Sequence, residues 1–73
     1  MPKPEMKSVE SSNIWQIGYD AKNTTLYIQF NEGGLYSYAD FPTDMWEEFQ
    51  ASDSKGRFFY KAIKGRFDFT KIE

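Results

Sequence analysis

The sequence predicts an α+β domain in which a three-stranded antiparallel β-meander is followed by two helices packed on one face of it. Two observations lead there. Apolar and polar residues alternate in three successive segments joined by short polar or glycine connections, the pattern of half-buried strands in a meander. After Pro42 the apolar spacing changes from two residues to the three and four of a helix.

The elements follow in order. Residues 1–8 (Met-Pro-Lys-Pro-Glu-Met-Lys-Ser) hold two prolines and no period, and read as a flexible N-terminal tail. Residues 9–73 read as one domain, since a chain of 73 residues has no room for a second core. The first strand runs to Asp20, with Trp15, Ile17 and Tyr19 alternating with Gln16 and Gly18. Asp20 and Asn23 supply turn chemistry before the second strand, where Leu26, Ile28 and Phe30 share one face. The third strand, Leu35 to Ala39, follows Gly33 and Gly34. Pro42 suits a helix start, with Thr43 or Asp44 as cap and Met45, Trp46 and Phe49 as the inward stripe. Ser54 caps a second helix running to about Lys64, with Gly65 as its stop. Phe67 and Phe69 alternate with Asp68 and Thr70, which allows a short terminal strand. Leu26, Ile28 and Phe30 are expected to meet Trp46, Phe49, Phe59 and Ile63.

Register decides what the hairpin tyrosines do. A three-residue turn over Glu32–Gly34 sets Phe30 opposite Tyr36 and Ile28 opposite Tyr38, which puts both tyrosines on the core face. A turn of even length sets Phe30 opposite Leu35 and leaves the tyrosines as an exposed aromatic face of the kind that stacks nucleobases. Asn31 at the turn entry and a glycine at the left-handed position favour the first arrangement.

Composition narrows the function. There is no cysteine and no histidine, so disulfides, thiolate metal sites and the usual general base are absent. Ser11-Ser12 has no base beside it and suits backbone bonding at the strand start; Asp20 and Asp40 read as turn and helix-entry residues. Gly33-Gly34 opens a strand, not the helix that a phosphate cradle requires. An enzyme is not expected, nor a metal or other cofactor. No apolar run is long enough for a membrane span or a signal-peptide core, which makes the cytoplasm the expected location.

Charge is more informative in its distribution than in its sum of −2. Lys55, Arg57, Lys61, Lys64 and Arg66 fall in a stretch without acids, just after one holding Asp40, Asp44, Glu47, Glu48 and Asp53 without bases. On a helix, Arg57, Lys61 and Lys64 line the side opposite Phe58, Phe59, Ala62 and Ile63, with Tyr60 beside them. Such a stripe is ordinary for a solvated helix face, and it is also the minimum for holding single-stranded nucleic acid: cations for phosphates and a ring for stacking.

In this order Ser11-Ser12-x-Ile14, Ile17-Gly-Tyr-Asp20, Thr25-Leu-x-Ile-x-Phe30, Gly34-x-Tyr36-x-Tyr38, Phe41-Pro42 and Ser54-x-Gly56-x-Phe-Phe59 resemble the KTSC domain family, over about residues 9 to 67. That family takes its name from the C-terminus of some lysyl-tRNA synthetases and also occurs as stand-alone small bacterial and phage proteins. The resemblance implies a stand-alone domain whose activity is largely uncharacterised, with RNA binding suggested by the synthetase context. On that reading Tyr36 and Tyr38 match the hallmark Tyr-x-Tyr. Tyr60 departs from the small polar residue frequent after the aromatic pair.

The expectation is a non-enzymatic binding module that contacts RNA or single-stranded nucleic acid through Arg57, Tyr60, Lys61 and Lys64, with Tyr36 and Tyr38. The alternative is a protein–protein interaction module that uses a sheet face or an edge strand.

Overall fold

The computed structural model describes residues 4–73. Five strands form one antiparallel sheet in sequence order: β1 (Lys7–Ser8), β2 (Ile14–Asp20), β3 (Thr25–Phe30), β4 (Gly34–Tyr38) and β5 (Phe69–Lys71). The meander expected from three strands therefore gains one at each edge. Lys7 and Ser8, read as tail, pair with Ile17 and Gln16, while the tail's first three residues lie outside the described residues. At the other edge β5 returns after the helices to pair with β4, Tyr38 opposite Phe69 and Tyr36 opposite Lys71.

The hairpin between β3 and β4 has a three-residue turn, but over Asn31–Gly33, one residue earlier than expected. Phe30 pairs with Gly34, Ile28 with Tyr36 and Leu26 with Tyr38. The shift moves each pair by two residues, so the faces survive and Tyr36 and Tyr38 join Leu26, Ile28 and Phe30. Gly34 accepts the positive φ of 91° at the turn exit.

The first strand departs from simple alternation. A bulge between Ile14 and Gln16 sets two residues of β2 against one of β3, so both Ile14 and Ile17 point inward, at 1% and 2% exposure. Trp15 occupies the bulge and is exposed, contrary to the alternation that placed it with Ile17 and Tyr19. Ser11 supports this entry: its hydroxyl accepts from the backbone N–H groups of Asn13 and Ile14.

Phe41 ties sheet to helices. Its N–H donates to the Thr24 carbonyl at 2.8 Å, its carbonyl accepts from the Tyr19 hydroxyl, and its ring is fully buried. Tyr19 in turn stacks on Trp46 at 5.3 Å between ring centroids. Helix α1 spans Thr43–Ala51 with Pro42 at the cap position; neither Thr43 nor Asp44 makes a side-chain cap bond. Thr43 turns its hydroxyl toward that of Tyr19 instead, at 3.3 Å.

Helix α2 (Lys55–Phe58) is capped as expected, by the Ser54 hydroxyl accepting from the Arg57 N–H at 3.2 Å. It then widens into a π-helical turn over Phe59–Ile63, closed by the Lys64 N–H donating to the Phe59 carbonyl at 2.8 Å. Lys64, with φ −62° and ψ 124°, and Gly65, with φ 78°, then form a type II turn closed by the Arg66 N–H to the Ile63 carbonyl. The helices cover one sheet face. Phe49 and Ile63 join Ile14, Ile17, Leu26, Ile28, Tyr38 and Phe41 in a single core, with Phe58 stacked on Phe49.

Phe49→Ala should therefore lower unfolding free energy by about 3–5 kcal/mol, read from the urea midpoint, whereas exposed Glu48→Ala should stay within about 0.5 kcal/mol of wild type.

Candidate functional site

Tyr38 is a core residue and half-buried Tyr36 packs against the same core, yet both also border a cavity. They line the floor of an open cleft of about 530 Å³ between β4, the hairpin turn and the π-helical turn. Its walls are aromatic. Phe30 meets Tyr36 and Phe59 edge-on, at centroid distances of 5.6 and 5.3 Å, and Tyr38 meets Phe59 edge-on at 5.9 Å. Phe69, carried in by β5, lies tilted against both tyrosines at 5.7 and 6.0 Å. In such edge-to-face pairs the edge of one ring packs against the face of the next, which locks the rings into one aromatic cluster.

The rim is polar. Ser12, Asn13, Asn31, Glu32 and Gly33 line it together with Lys64 and Gly65. The Asn31 amide donates to the Ser12 carbonyl at 3.0 Å, and the Ser12 hydroxyl donates to the Asn13 amide oxygen at 3.1 Å, which fixes the loop before β2 to the hairpin turn. Lys64 reaches the cleft because it sits in the type II turn. Its ammonium also lies 4.6 Å from the centre of the exposed Tyr60 ring, a cation–π contact worth about 0.5–1 kcal/mol at such a site.

The residues predicted from sequence thus separate. Tyr36, Tyr38 and Lys64 meet in the cleft, and Tyr60 joins them through Lys64. Arg57 and Lys61 line a separate, smaller groove with Ser52, Asp53 and Phe58. The π turn and the chain reversal at Lys64–Gly65 break the i, i+4, i+7 stripe. Phe30, Phe59 and Phe69 belong to the site although their spacing marked them only as core or strand residues, and Asn31 and Glu32 looked like plain turn residues. The signal available for Phe69 was its alternation with Phe67; Phe67 itself packs on Phe41 at 5.0 Å, away from the cleft. Asp20 is held below the usual carboxylate value by the Asn23 side chain and by turn N–H groups, which makes it a turn residue.

The cleft's framing sequence, from the Ser11 loop through the Tyr-x-Tyr strand to the π turn, lies within residues 10–67, which match the KTSC domain. This chain belongs to the KTSC domain family. A crystal structure of a KTSC domain protein from Yersinia pestis superposes with a TM-score of 0.93 at 45% identity, covering 94% of this chain and 97% of that one. A protein from Tsukamurella paurometabola is 37% identical over 62 residues, which make up 92% of its length. A lysine–tRNA ligase from Nostoc punctiforme is 40% identical over 63 residues, and the match spans 86% of this chain but only 11% of the ligase.

Within this KTSC domain the Tyr38 phenol is perturbed. Burial, followed by the charge of neighbouring Tyr36, pushes the Tyr38 pKa from 10.0 up to about 12. The fold retains this proton more tightly than the unfolded chain does, so the contribution to stability is complete below pH 10 and is lost as pH rises from 10 through 12. A phenolate absorbance titration of the folded protein should show a late step near 12 that Tyr38→Phe abolishes; simultaneous ionisation of all tyrosines near 10 would contradict the assignment.

Proposed function

We propose that this KTSC domain is a non-enzymatic module that binds single-stranded RNA, holding unpaired bases on the aromatic walls of the cleft while Lys64 meets the adjoining phosphate. The observation that carries this reading is the meeting of Tyr36, Tyr38, Phe30, Phe59 and Phe69 with a cation at one open cavity. Stacking on aromatic rings beside a basic group is how proteins bind single strands with little dependence on sequence. Exposed Tyr60 extends the same edge. RNA is favoured as the partner by similarity to a segment of proteins named as lysine–tRNA ligases. Arg57 and Lys61, on their separate groove, are secondary contacts at most.

A second reading has one specific observation behind it. All three residues of β5 are exposed, and Phe69 and Ile72 present apolar surface at this sheet edge. Strand addition there would make the domain a protein-interaction module, and its association would tolerate salt.

Fluorescence anisotropy with a short labelled RNA at several salt concentrations tests the first reading. Tyr36→Ser should weaken binding by about 1–3 kcal/mol and Tyr36→Phe should retain most of it, because the ring does the stacking. Lys64→Ala should flatten the log–log salt dependence by about 0.7, more than Arg57→Ala with Lys61→Ala does. Absence of binding at low salt, or salt-insensitive binding unaffected by Tyr36→Ser, would refute it.

A further inference from the structure

We infer that the cleft selects guanine among the bases, through the carboxylate of Glu32; this rests on the RNA reading above and specifies its ligand. The rim next to the aromatic floor is formed by Asn31, Glu32 and Gly33 of the hairpin turn and by Ser12 and Asn13 of the loop before β2. Both asparagine amides are tied to neighbouring groups, Asn31 to the Ser12 carbonyl and Asn13 to the Ser12 hydroxyl. Bidentate reading of adenine requires an amide whose donor and acceptor are both free, and in each rim amide one of the two already has a partner within the protein. Glu32 takes part in neither bond and is exposed at the cleft mouth, where it supplies the charged acceptor of the rim.

An ionised carboxylate accepts only, with two oxygens side by side. Among the four bases of RNA, only guanine places two donors side by side on its Watson–Crick edge, the ring N1–H and the exocyclic N2 amino group. Adenine and cytosine each offer an amino donor beside a ring acceptor, and uracil offers a single N–H between two carbonyls. A base stacked on the Tyr36 ring with its edge toward the hairpin turn therefore satisfies Glu32 fully only if it is guanine. The same carboxylate repels phosphate, so it disfavours strands that leave it unpaired. Stacking gives general affinity, and Glu32 converts part of it into discrimination.

The test uses an all-uridine oligonucleotide and the same strand carrying one central guanosine, adenosine or cytidine, with an inosine strand as control, bound to the full chain and to Glu32→Ala and Glu32→Gln. Glu32 lies in an exposed turn, so the variants keep the fold, which circular dichroism verifies. The expected result is a guanosine preference of about tenfold, the scale of one good bidentate contact, reduced with inosine because it lacks the N2 amino group. Glu32→Ala should bring the four natural bases to within about twofold of one another and tighten binding of the all-uridine strand. A guanosine preference that persists in Glu32→Ala overturns the inference. Equal binding of all four strands by the wild type, still salt-dependent and still lost in Tyr36→Ser, overturns guanine selection and leaves the stacking reading intact. No binding of any strand at low salt removes both.

Discussion

The turn Asn31–Gly33 holds Phe30 opposite Gly34, and this pairing decides on which side of the sheet every β4 side chain lies. Because side chains alternate with a period of two, one residue more or fewer in the turn would send Tyr36 and Tyr38 through the sheet to the face without helices. The cleft would lose its floor, and the core would lose Tyr38. The β5 pairing follows from the same constraint, since Phe69 becomes a wall only because its partner Tyr38 faces that way. The backbone at the turn exit leaves no freedom for a substitute: Gly34 has a positive φ, and a Cβ there would collide with the Glu73 carbonyl that extends the β5 ladder.

A second constraint positions the helices. Phe41 is held by its N–H to the Thr24 carbonyl in the β2–β3 turn and by its carbonyl to the Tyr19 hydroxyl of β2, which fixes the segment entering α1. The Tyr19–Trp46 stack and the Phe49–Phe58 stack then carry that placement through α1 to α2. The π-helical turn is the last consequence. By adding a residue to the helical repeat it keeps Ile63 buried, sets Phe59 against Phe30 and Tyr38, and delivers Lys64 to the turn that faces the cleft.

Fold and site are therefore one packing problem. In so small a domain the core joins isoleucine and leucine side chains with Tyr38, Phe41 and Phe49, and the rings left at its margin remain accessible to a ligand. Phe59, half-buried and edge-on to two rings, serves as core residue and cleft wall together.

By itself the sequence determined the central meander, the two helices after Pro42, the Ser54 cap and the Gly65 stop, because periodicity, caps and turn glycines are local properties of the chain. It favoured the core face for Tyr36 and Tyr38 but left two registers open, and the pairing of Phe30 with Gly34 decided the face. It also carried the family resemblance, through short motifs in a fixed order. Tertiary structure decided the rest. The edge strand β1, two residues long, exists only by pairing with β2, and β5, which the Phe67/Phe69 alternation allowed as a short terminal strand, gains its place beside β4 only in the folded sheet. The bulge at Trp15 reverses the apparent alternation of β2, and the π turn with the type II turn after it divides a basic stripe that ideal helical spacing unites. The aromatic cleft was legible only in part, through its two tyrosines and Lys64, because its remaining walls come from β3, the π turn and β5, segments distant in sequence that meet only when the sheet closes against the helices.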